Sequence, residues 1–160
     1  MANLDRKRQV ALAAAIATAI AIPAEGLRRV AYYDPPGILT VCYGSTTNVQ
    51  RGKTYSLDEC KARLNADMLS AVTAVERCAP GLPVNVLAAF ADAAYNIGPT
   101  VACNTTRSTA ARMLKAGDIT GACNQLPRWN KANFAGAMLS LPGLTKRRAA
   151  EKALCLDGLA

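Results

Sequence analysis

At 160 residues the chain is long enough for one packed core and too short for two independent domains. It contains no histidine, which excludes His-based nucleophilic triads and most zinc chemistry, and its low aromatic content with abundant Ala favours a helix-rich fold. A formal charge of +8 points to a polyanionic partner: nucleic acid, an anionic membrane surface or an acidic cell-wall polymer.

Residues 1–24 stand apart. Arg6-Lys7-Arg8 precedes an uncharged run from Gln9 to Ala24, mostly Ala and Ile, which is the positive n-region and apolar h-region of an export signal. As a helix that run reaches about 24 Å, short of the roughly 30 Å hydrocarbon core. Its Ala content makes it weakly hydrophobic, so stable residence in a bilayer is marginal. The same residues suit a buried helix, with Ile16, Ile20 and neighbouring alanines facing a core. Both descriptions hold for a segment that first targets the protein and later packs as its first helix.

From Arg28 to about Tyr55 the pattern turns β-like. Val30, Tyr32 and Tyr33 lead into the turn Asp34-Pro35-Pro36-Gly37, then into the strand-forming run Ile38 to Tyr43. Asn48 to Lys53 carries further turn residues, and the whole reads as a small antiparallel sheet. Helices resume at Ser56-Leu57-Asp58-Glu59, a capping box. Leu57, Cys60, Leu64, Met68, Val72 and Val75 then recur at helical spacing to about Arg77. A second helix carries Val86, Phe90, Ala94 and Ile97 and stops at Gly98-Pro99. Shorter ones span Ser108 to Ala116 and Asp118 to Leu126, and the last runs from Thr145 to Leu156, basic on its exposed face. The class is α+β: one helix, a small sheet, then a helical bundle.

Six cysteines are spread along the chain without any C-x-x-C pair, so metal-site spacing and a thioredoxin-type motif are both missing. Three disulfides formed in an oxidising compartment are expected. Fifteen pairings are formally possible; the favoured set is Cys42–Cys60, Cys78–Cys103 and Cys123–Cys155, each closing a short to medium loop.

Between Asp5 and Asp58 the chain has two carboxylates, Glu25 and Asp34. Glu25 follows the first helical segment, where the unfavourable end of the helix dipole opposes its ionised form. Asp34 lies at a turn and is expected to be more solvated. Two carboxylates in contrasting environments are what glycosidic cleavage needs, and Thr40 on the facing strand adds a hydroxyl to orient water. Each residue also has an ordinary role: Asp34 capping its own turn, Glu25 paired with Arg28 or Arg29, Thr40 filling a strand.

Glu25-Gly26-Leu27-Arg28, with Asp34 nine residues and Thr40 fifteen residues after the Glu, resembles the phage-type lysozymes, the muramidase endolysins. Gly44 after the strand, Ala94-Tyr95-Asn96-Ile97-Gly98, Ser108 to Leu114, Arg128-Trp129-Asn130 and Lys146-Arg147-Arg148-Ala149-Ala150-Glu151 fall in the order and spacing of that family, so the resemblance covers residues 25–158. It implies a lysozyme-like fold with the active-site cleft between lobes, and cleavage of the β-1,4 bond between N-acetylmuramic acid and N-acetylglucosamine in peptidoglycan. Glu25 would protonate the glycosidic oxygen; Asp34 would stabilise the transition state and, with Thr40, position water. Asn96 is a candidate sugar contact, or equally a helix cap before Gly98. Many members have Gly-His where this chain has Gly44-Ser45, which puts a stabilising contact in doubt more than the chemistry.

Residues 1–24 resemble the signal-anchor-release segments of some phage endolysins, leaving 25–160 as the catalytic domain. A monomer is expected, without cofactor, metal or nucleic acid, entering the host inner membrane transiently through residues 9–24 and then the periplasm. Asn104-Thr105-Thr106 is a glycosylation sequon by pattern that a protein made in bacteria would not use. Trp129 reads as core, and Lys146-Arg147-Arg148 as a solvated helix face. Two rivals remain: a lytic transglycosylase, and a non-catalytic cationic membrane-active protein. A nucleic-acid-binding domain is suggested by charge alone and disfavoured by the cysteines and the N-terminus.

Overall fold

The computed structural model describes residues 2–160. Helix α1 (Ala2–Glu25) leads into an antiparallel pair, β1 (Arg28–Tyr33) and β2 (Leu39–Cys42). Helices α2 (Leu57–Cys78), α3 (Val84–Ile97), α4 (Thr100–Cys103), α5 (Thr109–Ala116) and α6 (Ile119–Gln125) follow. A hairpin of β3 (Lys131–Phe134) and β4 (Ala137–Ser140) then precedes α7 (Pro142–Asp157). This is the helix, sheet and helical lobe order of an α+β lysozyme-like fold.

Local chemistry explains most boundaries. Ser56 accepts from the Glu59 N–H at 3.0 Å while Glu59 accepts from the Ser56 N–H at 2.7 Å, closing the capping box at the start of α2. Ser108 and Asp118 cap α5 and α6 by accepting from the N–H groups of Ala111 and Gly121, and Gly117 ends α5 in the left-handed conformation. Helix α7 begins three residues earlier than periodicity suggested, because Pro142 at its first turn has no N–H to leave unpaired. The β3–β4 hairpin gave little sequence signal. Its turn uses Ala135 at φ 49° beside Gly136 at φ 87°, and Ala is a poor marker for a turn that needs positive φ.

The core is built around α3, buried along most of its length, with α1, α2 and α7 packed against it. Ala13, Ala17 and Ala21 of α1 repeat every fourth residue and are all fully buried. These small side chains let α1 lie close to its neighbours. Ile16 and Ile20 were expected to face the core, but both are half-buried, because the alanines occupy the inner positions. Leu12 and Ile22 are exposed, so α1 carries more apolar surface than its packing uses.

Disulfides join Cys42 to Cys60, Cys78 to Cys103 and Cys123 to Cys155. They tie β2 to α2, the end of α2 to α4, and α6 to α7. One expectation is overturned. The basic run of α7 is not a solvated face: Arg147 is 5% exposed and Arg148 fully buried. The reason is a set of buried carboxylates that receive them.

Candidate active site

Helix α1 ends at Glu25, and Gly26 at φ 69° turns the chain back into β1, a conformation a glycine adopts without strain. Neither neighbouring arginine pairs with Glu25. The Arg28 guanidinium lies 4.3 Å from the Tyr32 ring centroid, and Arg29 donates to the Tyr55 carbonyl at 2.6 Å. The Glu25 carboxylate instead accepts from Nη1 of Arg147, on α7.

Asp34 and Thr40 are brought together through Ile38. The Ile38 N–H donates to Asp34 Oδ1 at 2.7 Å, and the Thr40 hydroxyl donates to the Ile38 carbonyl at 2.9 Å. The backbone closes the same turn, with the Asp34 N–H reaching the Ile38 carbonyl at 3.0 Å. Asp34 is therefore half-buried and engaged in its own turn, less solvated than its place between strands suggested. Thr40 is buried opposite Tyr32 in the strand register.

The end of β2 approaches Glu25. Cys42 at φ 62° and Gly44 at φ 96° fold the chain sharply, and Val41 and Ser45 exchange both backbone hydrogen bonds at 2.9 Å. A Cβ on Gly44 would sit 3.7 Å from Glu25 Oε2 and 3.6 Å from the Tyr95 hydroxyl. That hydroxyl donates to the Tyr43 carbonyl at 2.5 Å, and burial, then the charge on Glu25, push it above its ordinary range, so it remains a donor. Ser45 is buried and accepts from Arg63 at 3.2 Å. Its hydroxyl also counters the rise that burial imposes on Asp67, so α2 grips this position without an imidazole.

A cavity of about 560 Å³ opens beside Glu25, lined also by Asn96, Leu141, Leu144 and Arg147. Asn96 Oδ1 is buried there without a hydrogen-bond partner among the described residues, and α3 is capped by Gly98, not by the Asn96 side chain. Asp34 and Thr40 do not line this cavity. Glu25 and Asn96 thus share one space, while Asp34 and Thr40 form a second pair on the sheet.

Sequence reasoning missed the groups that hold Glu25. Arg147 donates to both oxygens of Asp92, at 2.8 and 2.7 Å, and Arg148 donates to Glu151 at 2.5 Å. Two signals pointed to them. Asp92 is the one charged residue in the apolar helix α3, and Arg147, Arg148 and Glu151 share one turn at i,i+4 and i,i+3 spacing.

Comparisons with known proteins agree with this geometry. A family model described as phage lysozyme matches residues 23–151. The SAR-endolysin of Bacteriophage PS119 is 40% identical over 136 residues, spanning 84% of this chain and 77% of that protein. The muramidase domain of SpmX from Asticaccaulis excentricus has a TM-score of 0.78 at 30% identity, covering 88% of this chain and 94% of that one. The active form of P1 phage endolysin Lyz gives 0.76 at 27% identity, covering 91% and 85%; its secreted inactive form gives 0.53 at 26%, covering 71% and 77%. The chain belongs to the phage lysozyme family and is a glycoside hydrolase of the peptidoglycan-lytic endolysin kind.

Proposed function

We propose that the enzyme hydrolyses the β-1,4 bond between N-acetylmuramic acid and N-acetylglucosamine, with Glu25 as general acid. The observation that carries this reading is the placement of Glu25: it is the carboxylate at the rim of the 560 Å³ cavity, held by the Arg147 guanidinium from α7. A proton donor held in place at a cleft is the first requirement of glycosidic cleavage. Asp34 stabilises the oxocarbenium-like transition state. Thr40 spends its hydroxyl proton on the Ile38 carbonyl, so its lone pairs are left to accept from a water, and Asp34 helps aim that water at the sugar. Asn96 Oδ1 accepts from the substrate, a role supported by its burial beside Glu25 without a hydrogen-bond partner among the described residues.

The same reading makes residues 1–24 a signal-anchor-release segment that holds the chain at the inner membrane before it enters the periplasm. Two observations support it: Asp5–Glu25 is a helix long and apolar enough to cross a membrane, and it leaves apolar side chains exposed once packed. The chemistry is tested with Glu25→Gln, which preserves shape and removes the acid. Hydrolysis of purified peptidoglycan should fall by about 10²–10⁴-fold with the fold intact. Unchanged hydrolysis would remove Glu25 from the mechanism.

A further inference from the structure

Asp92 lies fully buried on α3, with no other charge on that helix. Its two oxygens take Nε and Nη2 of Arg147, which sets the plane of the guanidinium and leaves Nη1 for Glu25. One helical turn on, Glu151 Oε1 lies 3.8 Å from Arg147 Nε and accepts from Arg148. Glu151 Oε2 is buried and has no donor to accept from among the described residues. Ionised, it would face Asp92 without a partner; protonated, it has a carboxylate to donate to. Burial, and then Asp92, push the Glu151 carboxyl up to about 9, which agrees with the protonated form at neutral pH.

The charge count follows. Arg147 and Arg148 bring two positive charges, Asp92 one negative charge and protonated Glu151 none, so the cluster presents a net positive charge to Glu25. Among the described residues the titratable groups in and around the cluster are Glu25 on α1, Asp92 and Tyr95 on α3, and Arg147, Arg148 and Glu151 on α7, with Asp67 of α2 acting on Tyr95.

We infer that Asp92 is a positioning residue for the reaction: through Arg147 it sets where the Glu25 carboxyl lies and how much positive charge that carboxyl meets. The inference rests on the reading of Glu25 as the general acid. Without the Asp92 charge, Arg147 loses the partner that sets its plane, and its whole positive charge falls on Glu25.

The test uses the full chain acting on purified peptidoglycan, with kcat and KM measured across the pH range and the folded fraction taken from circular dichroism. Asp92→Asn should lower kcat by about tenfold or more with KM little changed, and should move the alkaline limb of the profile to lower pH. Asp92→Glu keeps the charge but displaces it, so kcat should fall with the limb unmoved; it also serves if the Asn variant does not fold. A loss that only follows the folded fraction, with the limb in place for Asp92→Asn, would overturn the proposal. So would a wild-type kcat in either variant. Glu25→Gln in parallel separates the two readings: if it retains activity the acid assignment fails, and if it is inactive while Asp92→Asn matches wild type, only the positioning role fails.

Discussion

Glu151 gives a pH dependence whose sign can be worked out in advance. Burial, and then Asp92, disfavour its charge and push its carboxyl from the ordinary glutamate range up to about 9 in the fold. Between that range and about 9 the folded protein keeps a proton that the unfolded chain has released. The contribution of Glu151 to stability is therefore fully present below about pH 4.5 and is lost as pH rises toward 9. Glu151→Gln cannot ionise, so its stability should lack that decline; denaturant unfolding of both proteins at pH 5 and pH 9 measures the difference. A wild type and variant that lose stability in parallel would contradict a protonated Glu151. At this scale the sequence was readable for residues whose role is local. Ser56 and Glu59 announced their capping box, since both partners lie within one helical turn. Arg147 was misjudged because its partners lie 55 and 122 residues away, a separation that no local pattern carries.

Among the elements, α1 is the one with two demands on it. An apolar run that suits a bilayer needs no preferred face, and the apolar residues of α1 are spread around it without a single stripe. A helix that packs needs one, and Ala13, Ala17 and Ala21 supply it with the smallest apolar side chains. This is why the sequence reading could recognise an export segment and a future helix but placed Ile16 and Ile20 too deep. In the proposed membrane-held state the core would lack its alanine seam and Glu25 would be held away from Arg147. Activity should then appear only on release. Assays of a membrane-tethered form and a released form, at equal amounts, should show hydrolysis in the released form alone; equal activity in both would contradict this account. Residues 1–24 contain no cysteine, so the transition should need no thiol from that segment and should proceed without added reductant.

Across the whole molecule, the fold brings together groups from both ends of the chain. Glu25 closes the first helix, Arg147 belongs to the last, and Asp92 links them from the central helix. The disulfides brace the frame around this link by joining β2 to α2 and α6 to α7. The overall order of elements was legible because turn residues, caps and hydrophobic spacing are local signals. The β3–β4 hairpin and the buried ionic cluster were not, since one lacks its usual turn residues and the other exists only once three helices have met. The resulting site has a carboxylate at the cavity and, on the sheet, a second carboxylate and a hydroxyl joined through Ile38, the arrangement on which the proposal of hydrolysis rests. Mass analysis of the fragments released from purified peptidoglycan tests it most directly. The account predicts muramic acid ends that have gained a water and can be reduced. Anhydro-muramic ends, one water lighter and not reducible, would contradict it and assign the enzyme to the transglycosylases.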